Sequence, residues 1–205
     1  MRRGIRFAIV VAAVIAHISC GNVVRQGRGP VLLVLDSLTA SPTGGFGANT
    51  FGNTLFSDVQ VLVTSPAPCT STSPCPTVYS DSGRAILSLA AKDIAIAPTS
   101  NNAVTLNRYR VEFLRADGRN TPGVDVPYGF DGAVTATVPP SGTVTVNFEL
   151  VRHTSKEESP LVQLIRNSNI IHSIARITFY GRDLVGNDIS VTGSISVDFG
   201  NFGDQ

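Results

Sequence analysis

Four stretches of this 205-residue chain alternate apolar and polar side chains with a period of two, and that pattern most narrows what the chain can fold into. Within residues 104–115, Tyr109, Val111 and Phe113 share one face while Arg108, Arg110 and Glu112 share the other. Residues 143–152 repeat the pattern with Val144, Val146, Phe148 and Leu150 inward. In residues 175–180, Ala175, Ile177 and Phe179 oppose Arg176, Thr178 and Tyr180. Ile189, Val191, Ile195 and Val197 then alternate with Ser190, Thr192, Ser194, Ser196 and Asp198. Successive side chains of a strand point to opposite faces, so such stretches bury one face and wet the other. A helix would need its apolar positions three and four residues apart.

The rest of the chain punctuates these strands. Residues 31–40 open with VLLVLDSL, a nearly unbroken apolar run expected to form a strand covered on both faces or central in its sheet. Residues 41–57 (SPTGGFGANTFGNTLFS) are Gly-rich and long for a loop in a compact domain. Their Phe46, Phe51 and Phe56 either fold back to cap the core or form a binding loop. Further strands are expected at 58–64, 77–80, 85–94 and 133–138, with a turn at Asp81-Ser82-Gly83 and a long connection over 118–132. One short connecting helix is expected after Ser159, a suitable cap, with Pro160 at its first position and Leu161, Leu164 and Ile165 on one side. Nine or ten strands without an internal repeat predict one domain over residues 30–205. Its class is all-β, an antiparallel two-sheet sandwich, with a closed barrel as the alternative.

The last hairpin turns through Asp183-Leu184-Val185-Gly186-Asn187. Residues 179–190, a strand, then D-x-x-G-N, then a strand, resemble the closing hairpin of bacterial immunoglobulin-like domains, with Asp183, Gly186 and Asn187 as the matching positions. That resemblance implies an immunoglobulin-like sandwich. The chain has no Trp, so the Cys…Trp…Cys hallmark of antibody domains is absent.

A second resemblance lies at the N-terminus. Arg2, Arg3 and Arg6 precede an unbroken apolar run over residues 7–16 (FAIVVAAVIA). A permanent bilayer helix needs about 20 apolar residues, so the run has the layout of an export signal instead. Ile18-Ser19-Cys20 resembles the end of the lipobox of bacterial prolipoproteins, with His17 where that family usually has Leu. The resemblance implies a signal peptide over 1–19 and a diacylglycerol-modified Cys20 as the mature N-terminus. Residues 20–29 then tether the domain to a membrane. The alternative is ordinary signal cleavage at a small-residue pair, Val14 and Ala16 or Ser19 and Gly21. With Cys20 lipidated, Cys69 and Cys75 remain of the three cysteines, and a disulfide between them would close a short surface loop in an oxidising compartment. So short a loop contributes about 2 kcal/mol at most. The expected location is the bacterial cell envelope, lipid-anchored, at the outer membrane.

Composition removes other classes. The first nineteen residues hold three of the 16 basic side chains, leaving 13 against 15 acidic ones, a formal net charge of −2. That argues against nucleic acid as a partner. No nucleophile elbow, phosphate loop, dinucleotide fingerprint or H-E-x-x-H occurs, and His153 and His172 stand outside any metal-ligand spacing. Two loops are oxygen-rich: Asp117, Asn120, Asp125 and Asp131 in one, Asp183, Asn187 and Asp188 in the other. Calcium takes six to eight oxygens, so these are candidate ligands, although Asp and Asn also serve as plain turn residues. Arg108, Arg110, Arg115, Arg176 and Arg182 are expected to pair with carboxylates such as Glu112 and Glu149 across strands. No catalytic residue and no cofactor is expected. The resulting expectation is a non-catalytic envelope lipoprotein, membrane-attached through its lipid, that serves as a structural or protein-interaction module for an unidentified protein or envelope component. The alternative is a cell-surface ligand- or carbohydrate-binding module, stabilised by calcium.

Overall fold

The computed structural model describes residues 29–95 and 98–203. The expected signal peptide, Cys20 and the tether up to residue 28 lie outside the described residues. Ten strands form among those described: β1 (Val31–Ser41), β2 (Thr54–Asp58), β3 (Val61–Val63), β4 (Cys75–Thr77), β5 (Asp81–Ala91), β6 (Val104–Leu114), β7 (Phe130–Val138), β8 (Thr143–Val151), β9 (Ile171–Asp183) and β10 (Asp188–Gly200). The four alternating stretches are β6, β8, β9 and β10, with the faces as expected: Tyr109, Val111, Phe113, Val146, Phe148, Leu150, Ala175, Ile177 and Phe179 are all buried.

The strands make a three-stranded sheet in the order β1-β5-β8, a five-stranded sheet in the order β2-β10-β9-β6-β7, and a β3–β4 pair. The two larger sheets share one core. Phe148 of β8 spans it, its ring centroid 5.2 Å from Tyr109 of β6 and 5.3 Å from Phe179 of β9. The expectation of purely antiparallel sheets is corrected at one place. β2 runs parallel to β10, Thr54 beside Ser196 through Asp58 beside Gly200. Only a tight hairpin forces two strands antiparallel, and no hairpin joins these two, which lie far apart in the chain.

Other boundaries differ for identifiable reasons. Residues 31–40 form β1, but at the edge of its sheet rather than covered on both faces: Val31 and Leu33 are buried while Leu32 is 52% exposed. A bulge at Asp36 shifts its pairing with β5 between Leu35 and Ser37. The inward phase therefore passes from Val31 and Leu33 to Leu38 and Ala40. A second bulge, at Asn107, does the same in β6, where Val104 and Leu106 face inward before it and Tyr109, Val111 and Phe113 after it. Asp81-Ser82-Gly83 is not a turn; it opens β5, with Asp81 and Gly83 buried. The expected strand over 58–64 is split into the end of β2 and the three-residue β3. The connecting helix is two pieces, a five-residue α1 (His153–Glu157) and a 3-10 helix at Leu161–Arg166. Pro160 occupies the cap of the latter rather than its first position, and its last turn closes by the tighter bond from Asn167 N–H to the Leu164 carbonyl, 3.3 Å. Leu161 and Leu164 are buried as expected.

Candidate functional site

Three elements bring charge together where water does not reach. β2 ends at Ser57 and Asp58, β5 begins at Asp81, and α1 supplies Lys156. The Lys156 ammonium lies 2.8 Å from Asp81 Oδ2, and both side chains are 1% exposed. Lys156 Nζ also donates to the Asp58 backbone carbonyl at 2.8 Å. Ser57 Oγ donates to Asp81 Oδ2 at 2.6 Å, and the Thr43 N–H points at Asp81 Oδ1 from 3.4 Å. Burial pushes the Asp81 carboxyl above its ordinary range, opposed by the Lys156 charge and by the hydrogen bonds from Lys156, Ser57 and Thr43. A dry ion pair recovers its desolvation only through such accessory hydrogen bonds. Residues 42–45 lie over the cluster. Gly45 has φ +76°, and a Cβ there would fall 2.6 Å from Asp58 Oδ2. Part of the Gly-rich loop is therefore a close-fitting cover for buried polar groups. Sequence reasoning missed all four residues. Lys156 sits in HTSKEES, which reads as a solvated stretch, and Asp81 precedes Ser-Gly like a turn residue.

The three phenylalanines of that loop are not grouped as one set. Phe46 and Phe56 meet edge to face at 5.7 Å, and Phe56 meets Phe202 in the same way at 5.8 Å. Phe46 is 50% exposed and Phe56 38%. Phe51 lies apart, with the Arg84 guanidinium 3.7 Å above its ring.

The candidate calcium ligands fall into separate places. Val104 pairs with Asp183 and Leu114 with Ile174, so the loop after β6 and the β9–β10 hairpin occupy opposite ends of the sheet. At about 3.4 Å per residue they stand roughly 30 Å apart, too far to share an ion. Asp117 is bound by Arg115 and Arg119, and the Arg115 hydrogen bonds above all hold its carboxyl well below the usual carboxylate range. Asn120 Oδ1 accepts from Arg115 N–H at 2.6 Å, and Asp125 Oδ2 from Thr121 N–H at 3.2 Å. Asp131 lies in β7 between Arg108 and Arg110. In the hairpin, Asp183 Oδ1 accepts from Val185 and Asn187 N–H and Oδ2 from Asn187 Nδ2, while Gly186 takes φ +90°. That arrangement explains D-x-x-G-N physically. The carboxylate gathers the turn's N–H groups, and the glycine takes the left-handed position. Asp188 pairs with Arg182. Among the described residues, no group of three or more His, Cys, Asp or Glu side chains is placed to hold a metal ion.

The outer face of the five-stranded sheet carries the arginines. Glu112 accepts from Arg176 on the neighbouring strand and from Arg110 on its own, and those two bonds, Arg176 first, hold its carboxyl below the ordinary range. Glu149 pairs with Arg152 instead. Beside the Asn107 bulge, a cleft of about 400 Å³ is lined by Asn107, Arg108, Tyr180, Arg182, Asp188 and Ser190. The Arg108 guanidinium stacks 4.1 Å over the Tyr180 ring. His172 is exposed, with Nδ1 2.8 Å from Asp198. Cys69 and Cys75 are joined as a disulfide, their Cα atoms 5.3 Å apart. No helix among the described residues is long and apolar enough to cross a membrane. Compared with protein-family models, curated proteins and solved structures, the chain matches none.

Proposed function

We propose that this chain is a non-catalytic envelope lipoprotein, anchored through an acylated Cys20, whose domain is an immunoglobulin-like sandwich serving as a structural or protein-interaction module. The observation that carries the reading is the Cys69–Cys75 disulfide, which leaves Cys20 as the one remaining cysteine of three. An exported chain with an odd cysteine needs a use for the leftover thiol, and acylation is such a use. The placement of the chain's entry is consistent with this. Gly29 lies beside Ile189 and Asp183, so a tether would leave at the β9–β10 hairpin, where Leu184 and Val185 are exposed. The Phe46, Phe56 and Phe202 cluster then sits at the opposite pole, facing away from the membrane.

The test is intact mass spectrometry of the protein from a bacterial host's envelope fraction. A mature N-terminus at Cys20 carrying acyl mass is expected, with Cys20→Ser released from the membrane. An unmodified N-terminus at any other residue overturns the anchor.

The polar cleft beside Asn107 favours a second reading, a ligand- or carbohydrate-binding module. A panel of monosaccharides, each tested for a shift in Tm, separates the two readings. A saturable shift abolished by Arg182→Ala supports the second.

A further inference from the structure

Lys156 and Asp81 meet with almost no solvent on either side chain, which is unusual for two groups that water holds so strongly. We propose that they are joined by an intramolecular isopeptide bond, an amide formed between Lys156 Nζ and the Asp81 side-chain carboxyl carbon with release of one water.

The geometry places each participant. Nζ stands 2.8 Å from Oδ2, so donor and acceptor are already held together without diffusive search. One proton passes from the ammonium to Oδ2, leaving an amine and a carboxylic acid, both neutral and both cheaper to keep dry than the ions. The nitrogen lone pair attacks the carboxyl carbon, and a second proton moves from nitrogen to the departing hydroxyl. Water leaves, and one hydrogen remains on the amide nitrogen. Of the three ammonium protons, two depart with the oxygen, and no oxidant, reductant or co-reactant takes part. The surroundings suit that sequence. Ser57 Oγ donates to Oδ2, the leaving oxygen, from 2.6 Å, and the Thr43 N–H faces Oδ1, the oxygen that stays and carries charge in the tetrahedral intermediate. The Asp58 carbonyl, 2.8 Å from Nζ, orients the nitrogen and accepts the amide hydrogen afterwards. The raised affinity of Asp81 for a proton works in the same direction, since the acid and not the carboxylate is the electrophile. Thr43 is exposed directly above the cluster, so the released water has a short way out.

The bond would tie the start of β5 to α1, closing the chain from residue 81 to residue 156 at the pole away from the tether. Such a bond would limit how far the domain extends under pull.

The experiment weighs the full chain intact after reduction and denaturation. A mass one water below that of the mature sequence is expected, and digestion should release a branched peptide carrying both Asp81 and Lys156. Asp-Gly pairs such as Asp117-Gly118 and Asp131-Gly132 also lose water by cyclising, so Lys156→Arg is weighed alongside and is expected to regain the water. A wild-type chain at full mass, or a deficit that persists in Lys156→Arg, overturns the proposal. The branched peptide from the wild type decides the matter even where the variant does not fold. Acyl mass and water loss are read separately, so failure of the lipid anchor leaves this result intact, and the reverse.

Discussion

Asp183 shows how much one short side chain can organise. It is 5% exposed and accepts the Val185 and Asn187 N–H groups and the Asn187 side-chain amide. Hydrogen bonds to an ionised group contribute about 1.5–3 kcal/mol, and a buried N–H left without a partner costs its desolvation. Asp183→Ala should therefore lose about 2–3 kcal/mol in urea denaturation, while Asp183→Asn, which keeps an acceptor, should lose less. Glu112 acts on pH dependence instead. Its carboxyl is more acidic folded than unfolded because Arg176 and Arg110 hydrogen-bond it. A group shifted in that direction stabilises the fold above its unfolded pKa, about 4.3, and withdraws that contribution as pH falls through the lower folded value. The Tm of the wild type should therefore drop further than that of Glu112→Gln as pH is lowered from about 5 to about 3. Equal slopes would remove the ion pair from the account.

Within the strands, bulges control which residues reach the core. Asn107 is an extra residue in β6 relative to β9, while β7 sets two residues, Val134 and Thr135, opposite it. It lets Leu106 and Tyr109 both face inward, although strict alternation would put them on opposite faces. Deleting Asn107 brings Leu106 and Tyr109 two positions apart, so plain alternation keeps Val104, Leu106, Tyr109, Val111 and Phe113 all inward and pairs β6 one-to-one with β9. The deletion is therefore expected to keep a cooperative thermal transition, read by circular dichroism. Loss of that transition would show that the bulge itself, and not only the inward phase on either side of it, is required by the fold. The bulge also forms one wall of the polar cleft, so the device that corrects the core phase shapes the outer surface as well.

Across the whole domain, the two main sheets are held by side chains that no strand supplies alone. Phe148 contacts Tyr109 and Phe179 across the core. Phe148→Ala should cost about 3–5 kcal/mol, the range for truncating a buried aromatic, and should lower the midpoint in guanidinium without changing the slope. The all-β class and the inward faces of β6, β8, β9 and β10 were legible because a period of two is a local property, written in neighbouring residues such as Tyr109, Val111 and Phe113. The Asp183 turn was legible for the same reason, since its chemistry lies within five residues. Sheet order, the parallel seat of β2 against β10 and the edge position of β1 were not, because they depend on strands that meet only after distant loops close. The candidate site divides in the same way. Phe46 and Phe56 stand out as exposed aromatics in a Gly-rich loop, but Phe202 joins them from the far end of the chain. Lys156 looks like any solvated lysine in its own neighbourhood. Burial belongs to the environment, and Ser57, Asp58 and Asp81 become that environment only once β2, β5 and α1 have packed together.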